Sequence, residues 1–279
     1  MNTLAFFLSK TNSQFEFIEE DNFTVSYKNR AFQYGDGMFE TIIVKGNEIQ
    51  HLNLHLNRLK NGLSVLGFEG LEKVDGSKIE KAIVELLERN QINENARVKI
   101  AVWRAEGGLY TPQNQGFEML ISVSKHQTQT ELKYIDVDFC QQVRNNYSAF
   151  SAYKTLSSLP YTMAGLERKT RNLDDIILLD SNGNISECLA SSIFWERDGI
   201  FYTPSLKSGC IAGIRREIIT KFLRKNSFIV RRKLAKKAEL LKANFVFNAN
   251  VASIQLIGQI GKVEIPENLE MKQLLQELL

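Results

Sequence analysis

A polar break near the middle of the chain, Ser124–Thr130 (SKHQTQT), most limits what this sequence can fold into. It has no apolar periodicity and supplies no core residue, so it reads as a linker between two separately packed parts. The expected organisation is a small α/β domain over residues 1–125, a linker at about 126–130, and a larger domain over 131–279. With 279 residues, the chain can bury two such cores.

Hydrophobic spacing fills in each part. Before the break, Leu4–Leu8, Phe23–Tyr27, Gly37–Val44, Arg97–Trp103 and Phe117–Val123 read as strands. Leu52, Leu56, Leu59, Leu63 and Leu66 recur at helical spacing, as do Ile79, Ile83, Leu86 and Leu87, which predicts helices over His51–Leu66 and Ser77–Asn90. After the break, Ile176–Leu179 is a buried-type strand followed by Asn182-Gly183, whose composition favours a tight turn with positive φ angles. Ser192–Trp195 and Ile200–Tyr202 flank Asp198-Gly199, a second hairpin signal. Helices are expected at Tyr161–Arg171, Ile214–Arg224, Ala235–Lys242 and Asn268–Leu279. The fold class expected is two-domain α/β (α+β), with a barrel-like second domain.

Charge and cysteine usage narrow the function. With 35 basic and 32 acidic side chains and no basic block, nucleic acid is not an expected partner. Cys140, Cys188 and Cys210 are odd in number and far apart, which argues against a disulfide framework and fits a reducing cytoplasm. No run reaches the roughly 18 apolar residues of a membrane span. The first residues, MNTLAFFLSKTNSQ, lack a basic start and a small-residue cleavage site, so no secretion signal is expected.

Four segments carry unusual residues. Tyr34-Gly35-Asp36-Gly37-Met38-Phe39-Glu40-Thr41 pairs two glycines before a strand, which is either a plain turn or a backbone built for close approach. His51 and His55 share a helix face, but too few further ligands accompany them for a metal site, and none is expected. Arg58, on the same helix, is either surface charge or an anion contact. Lys154 interrupts the low-charge stretch Ser148–Leu159; a sheltered lysine loses ammonium solvation and becomes a usable nucleophile, whereas most lysines are simply solvated. Glu187 leads into the small residues around Ala190, and Gly213 opens a helix whose free N–H groups suit a phosphate.

In order and at these separations, YGDGMFET, HLNRL, YKTLSSL, SECLASSIFW and AGIRR resemble the fold-type IV pyridoxal-phosphate enzymes, the class IV aminotransferase family. The resemblance runs from about Asn29 to Gly258. It implies pyridoxal 5'-phosphate as cofactor, a small-molecule amine as substrate, and a homodimer. Lys154 then matches the lysine that holds the cofactor covalently, Glu187 the acid beside the pyridine nitrogen, and Arg58 the arginine on the phosphate. Gly213, Ile214 and Arg215 match the loop whose backbone N–H groups hold that phosphate, and Asn250 joins the cofactor contacts. Relatives often carry threonine where this chain has Arg215. Substrate contacts are implied at Phe39, Thr41, Lys99, Arg104, Tyr110 and Ala190.

Within the family, Glu187-Cys188, Phe194-Trp195, Tyr202–Leu206, Phe247–Asn250, Lys99 and Arg104 look like aminodeoxychorismate lyase. The implied reaction is release of pyruvate and 4-aminobenzoate, a folate precursor, from 4-amino-4-deoxychorismate. One departure keeps other readings open: some lyases have an arginine after the paired glycines where this chain has Leu109 and Tyr110 following Gly107-Gly108. The alternatives are a class IV aminotransferase acting on branched-chain or D-amino acids with a 2-keto acid acceptor, and a degenerate member that is not an enzyme.

Overall fold

In the computed structural model, which describes residues 2–8, 14–46 and 48–279, alternating side chains make Gly37–Lys45 the strand on which the first part is built. Met38, Ile42 and Val44 face a core, and Phe39 and Thr41 face the other way. The first unit comprises residues up to Thr128 together with Tyr153–Ser158. Its strands are β1 (Thr3–Leu8), β2 (Glu16–Glu19), β3 (Gly37–Lys45), β4 (Glu48–Ile49), β5 (Ala96–Arg104) and β6 (Phe117–Lys125). They form one antiparallel sheet in the order β2-β1-β6-β5-β3-β4.

Among the described residues, the α-helices of this unit are α1 (Arg30–Tyr34), α2 (Leu52–Val65) and α3 (Gly76–Arg89). Helices α2 and α3 cover one sheet face. Leu56, Leu59 and Leu63 from α2 and Ile79, Ile83 and Leu86 from α3 pack with Ile42, Val98, Ile100 and Val102. Asp75 starts α3 by accepting from the Ser77 and Lys78 N–H groups.

The second unit comprises Gln129–Ala152 and Leu159–Leu279. Its strands are β7 (Tyr134–Phe139), β8 (Asp175–Leu179), β9 (Ile185–Cys188), β10 (Ser192–Arg197), β11 (Ile200–Pro204), β12 (Ile229–Lys233), β13 (Phe245–Ala249), β14 (Ile254–Ile260) and β15 (Val263–Glu264). They make a mixed sheet in the order β12-β11-β10-β13-β14-β7-β8-β9, with β15 on β14. Strand β9 ends this ladder yet lies against β10 and β11, so the sheet curls back toward itself. This is the curled, barrel-like sheet expected of the second part. Its helices are α4 (Leu159–Thr170), α5 (Ile214–Lys225), α6 (Lys237–Leu240) and α7 (Leu269–Gln276). Ile219 and Leu223 of α5 and Met271 and Leu275 of α7 pack against Phe194, Phe201 and Phe247.

Several expectations need correction. Phe23–Tyr27 is not a strand. The Ala235–Lys242 helix is only one turn, α6. Of Asn182-Gly183, only Gly183 has positive φ, because the Asp180 carboxylate accepts from the Asn182 and Asn184 N–H groups and organises a longer turn. Asp198 and Gly199 are both at positive φ, as the hairpin signal requires. Lys154 falls within residues 131–279 by sequence, but its contacts group it with the first unit. Among the described residues, no helix is long and apolar enough to cross a membrane.

Candidate active site

The paired glycines around Asp36 make room for the strip that carries Lys154. Gly35 caps α1 at φ 62°, and a Cβ there would lie 2.9 Å from the Ser157 Cα. A Cβ on Gly37 would lie 2.3 Å from the Val102 carbonyl oxygen and 2.7 Å from Leu156 Cδ1. Side chains at either position would push the strip away. Instead it pairs with β3: the Phe39 N–H donates to the Lys154 carbonyl (2.8 Å), the Leu156 N–H donates to the Gly37 carbonyl (2.9 Å), and Thr155 bridges Met38. A lysine in a loop is thereby given the backbone definition of a strand.

The Lys154 ammonium lies 4.6 Å from the centroid of the Phe39 ring, and the Lys99 ammonium lies 5.5 Å from the same centroid. Thr41 sits opposite Lys99 in the β3–β5 ladder, and Phe39 opposite Ala101. Phe39, Thr41, Lys99 and Lys154 are therefore neighbours on the sheet face turned away from α2 and α3. Four residues separated by up to 115 positions in the chain converge there.

The other face of β3 carries a buried ionic cluster. Glu40 Oε1 accepts from Arg58 Nε (2.7 Å), and its Oε2 accepts from Arg58 Nη2 (2.5 Å) and contacts His55 Nδ1 (2.7 Å). Burial pushes the Glu40 carboxyl up, but hydrogen bonds and charge from His55 and Arg58 outweigh it and hold the group below its usual range. His55 is thus committed to Glu40, while His51 is exposed at the start of α2. The two do not converge on a metal.

Two expected substrate contacts lie elsewhere. Arg104 is buried, and it donates to Asp36 Oδ2 (2.9 Å), to Gln115 Oε1, and to the carbonyls of Leu66 (2.7 Å) and Gly67 (3.2 Å). It also stacks on the Phe68 ring, so its guanidinium is tied to Asp36, Gln115 and two backbone carbonyls of the same unit. Tyr110 is 91% exposed and packs its ring against Tyr34, near α1. Arg30 holds this loop by donating to the carbonyls of Gly107, Gly108 and Leu109.

In the second unit, Glu187 is buried on β9. Its Oε1 accepts from Asn145 Nδ2 (2.9 Å) and from the Tyr161 hydroxyl (2.7 Å), and its Oε2 accepts from the Ile211 N–H (3.1 Å). Donors to both oxygens of one carboxylate suit its ionised form and fix its plane. Burial, then the Glu187 charge, pushes the Tyr161 phenol far above its ordinary range, so Tyr161 stays a donor. Sequence reasoning singled out neither Asn145 nor Tyr161. The available signal was Tyr161 near the start of a predicted helix seven residues after Lys154.

Gly213 is the N-cap of α5 and makes no side-chain cap, so the first turn offers the N–H groups of Ile214 and Arg215. A Cβ on Gly213 would lie 2.6 Å from Ser192 Oγ, so the absence of a side chain lets that hydroxyl approach the helix start. The Arg215 side chain leads elsewhere, donating to the Leu278 carbonyl. Burial lowers its pKa. Asn250 braces the turn after β13: its Oδ1 accepts from the Ala252 and Ser253 N–H groups and its Nδ2 donates to Ser191 Oγ (3.0 Å). Ala190 is exposed between β9 and β10. Beneath that loop, Asp175 accepts from the Leu189 N–H (3.3 Å) and from Asn248 Nδ2 (2.7 Å), and burial pushes its carboxyl up to about 6. Burial also raises the Cys188 thiol well above its usual value, leaving it protonated.

Comparison with known proteins adds the following. A family model described as amino-transferase class IV matches residues 37–258. Aminodeoxychorismate lyase of Vibrio harveyi is 23% identical over 245 residues, covering 86% of this chain and 88% of the relative. Branched-chain-amino-acid aminotransferase of Salmonella typhimurium is 22% identical over 265 residues, covering 90% and 85%. The solved structure of the branched-chain amino acid aminotransferase from Escherichia coli superposes with a TM-score of 0.86 at 20% identity, covering 99% of this chain and 92% of the other. At that identity the structural likeness carries the fold alone.

Proposed function

The chain belongs to the class IV aminotransferase family, and from that premise we propose that it is a pyridoxal 5'-phosphate enzyme that cleaves 4-amino-4-deoxychorismate to pyruvate and 4-aminobenzoate, a folate precursor. The observation that carries the cofactor reading is the Glu187 carboxylate, buried and oriented by Asn145, Tyr161 and the Ile211 N–H. A fixed carboxylate of this kind suits a protonated pyridine nitrogen. The uncapped start of α5 beside Ser192, and the guanidinium of Arg58, suit a phosphate. The residues present therefore fit the group.

When bound, pyridoxal 5'-phosphate supplies an electron sink conjugated to the substrate amine. Lys154 Nζ would hold the group covalently and, as a free amine, would serve as the general base and acid that moves the substrate's protons. Its strand pairing with β3 keeps Nζ near Phe39 through both duties. Glu187 keeps the ring nitrogen protonated. In the first unit Arg58, and in the second the N–H groups of Ile214 and Arg215, would each hold phosphate oxygens, and Asn250 braces Ser191. Lys99, exposed beside Thr41, is the cation offered to a substrate carboxylate, and Ala190 leaves space for the substrate body.

A specific observation favours a second reading. Arg104 is consumed internally, which leaves Lys99 without the second cation that a lyase assignment gave it. A branched-chain amino acid carries one carboxylate where 4-amino-4-deoxychorismate carries two, so the amino-donor half-reaction of an aminotransferase that takes it with a 2-keto acid acceptor, like that of one taking a simple D-amino acid, makes a smaller demand for positive charge. Purified protein mixed with 4-amino-4-deoxychorismate should release pyruvate with no keto acid added. Amino acid consumption that depends on 2-oxoglutarate, with no pyruvate released, would select the aminotransferase instead. We further propose a homodimer, because Phe32, Leu109 and Tyr110 are exposed together around α1 and the loop held by Arg30. A cytoplasmic setting is proposed from the three buried, free cysteines.

A further inference from the structure

We propose that Glu40, steadied by His55, is a positioning residue that sets the plane of the Arg58 guanidinium for a phosphate-bearing ligand; this rests on the assignment of Arg58 to the cofactor phosphate. Glu40 is fully buried on the core-facing side of β3, between the apolar residues Met38 and Ile42. A charge there is costly unless fully paired. Both of its oxygens are taken, Oε1 by Arg58 Nε and Oε2 by Arg58 Nη2 and His55 Nδ1.

The geometry of that pairing is specific. Glu40 holds the Nε–Nη2 edge of the guanidinium side-on, which turns the Nη1 edge away from the carboxylate. Bidentate pairing fixes a plane, and a fixed plane is what lets arginine match phosphate oxygens. His55 and Arg58 lie three positions apart on α2, on the same face, and both reach one carboxylate on the neighbouring strand. The opposite role would be neutralisation: Glu40 would simply cancel the Arg58 charge and weaken its hold on any anion. The two roles predict opposite signs.

The test compares pyridoxal 5'-phosphate with pyridoxal, which lacks only the phosphate. The full chain, stripped of cofactor and refilled, is titrated with each for wild type, Glu40→Gln, His55→Gln and Arg58→Ala. The ratio of the two affinities reads phosphate recognition and cancels any general loosening of the fold. We expect Glu40→Gln to lower the ratio about tenfold and His55→Gln about threefold, with pyridoxal affinity nearly unchanged. A ratio unchanged or raised in Glu40→Gln, while Arg58→Ala collapses it, overturns the proposal and leaves the Arg58 assignment intact. No preference for the phosphorylated form in wild type sinks the Arg58 assignment first and the proposal with it. If Glu40→Gln does not fold by circular dichroism, His55→Gln decides: a lowered ratio supports the role of the cluster, and an unchanged one overturns it.

Discussion

Phe39 and Lys154 are joined twice, once by the backbone hydrogen bond from the Phe39 N–H to the Lys154 carbonyl and once through the ammonium, which sits 4.6 Å from the ring centroid. The first contact fixes where the lysine leaves the chain, and the second limits where its amine can go.

Lys154→Ala is expected to abolish the visible absorbance of bound cofactor and nearly all turnover. The backbone pairing of the strip does not use the side chain, so the thermal midpoint should move by no more than about 2 °C. Full activity in this variant would end the assignment of Lys154.

Tyr161→Phe removes one donor to Glu187 while leaving Asn145 and the Ile211 N–H in place. A loss of about 1–2 kcal/mol in cofactor affinity is expected, read as a five- to thirtyfold rise in the dissociation constant. Unchanged affinity and turnover would show that Asn145 and Ile211 suffice to hold the carboxylate.

Asp175 carries a pH signature. Its carboxyl is raised from 3.8 to about 6 by burial, so the folded state binds its proton more tightly than the unfolded state. Its contribution to stability is full below pH 3.8 and is lost as pH rises through 6, by about 3 kcal/mol at most. Asp175→Asn should remove this dependence. Asn248 can accommodate the change, because its Oδ1 is buried without a hydrogen-bond partner and its amide can turn over to accept from the new Nδ2. Urea midpoints at pH 5 and pH 8 test this: the wild type should lose stability between them relative to the variant.

Light scattering on a size-exclusion column should report about twice the chain mass of 31.9 kDa. Phe32→Glu, which sets a charge on the exposed apolar group around α1, is expected to shift the species toward 31.9 kDa. A monomer at micromolar concentration in the unaltered protein would remove the homodimer proposal.

Much of the first unit was legible from periodicity alone. Period-two alternation marked β3, β5 and β6, and leucine spacing marked α2 and α3, because one side of each faces water and the other a core. The curled sheet was less legible. Phe245–Ala249 is buried on both faces, so it shows no alternation; β12 and β14 also escaped a sequence-based assignment, as did β7 although its burial alternates. Phe23–Tyr27 has strand composition but no ladder partner. At the site, Lys154 and Glu187 stood out as charges in sheltered contexts. Arg104 turns inward to carbonyls that only the folded chain brings near, a pairing that no spacing in the sequence announces. Glu40 carried a usable signal: it is an acid on the parity of β3 that otherwise holds Met38, Ile42 and Val44.

Because Tyr153–Ser158 belongs with the first unit while the residues on both sides of it belong with the second, no single cut separates the chain into two self-sufficient modules. A fragment ending at Thr128 would lack Lys154, and one beginning at Gln129 would carry Lys154 without the strand that anchors it. Gene shuffling that swaps either half as a cassette must therefore transplant a six-residue stitch along with it, or leave Lys154 without its partner strand.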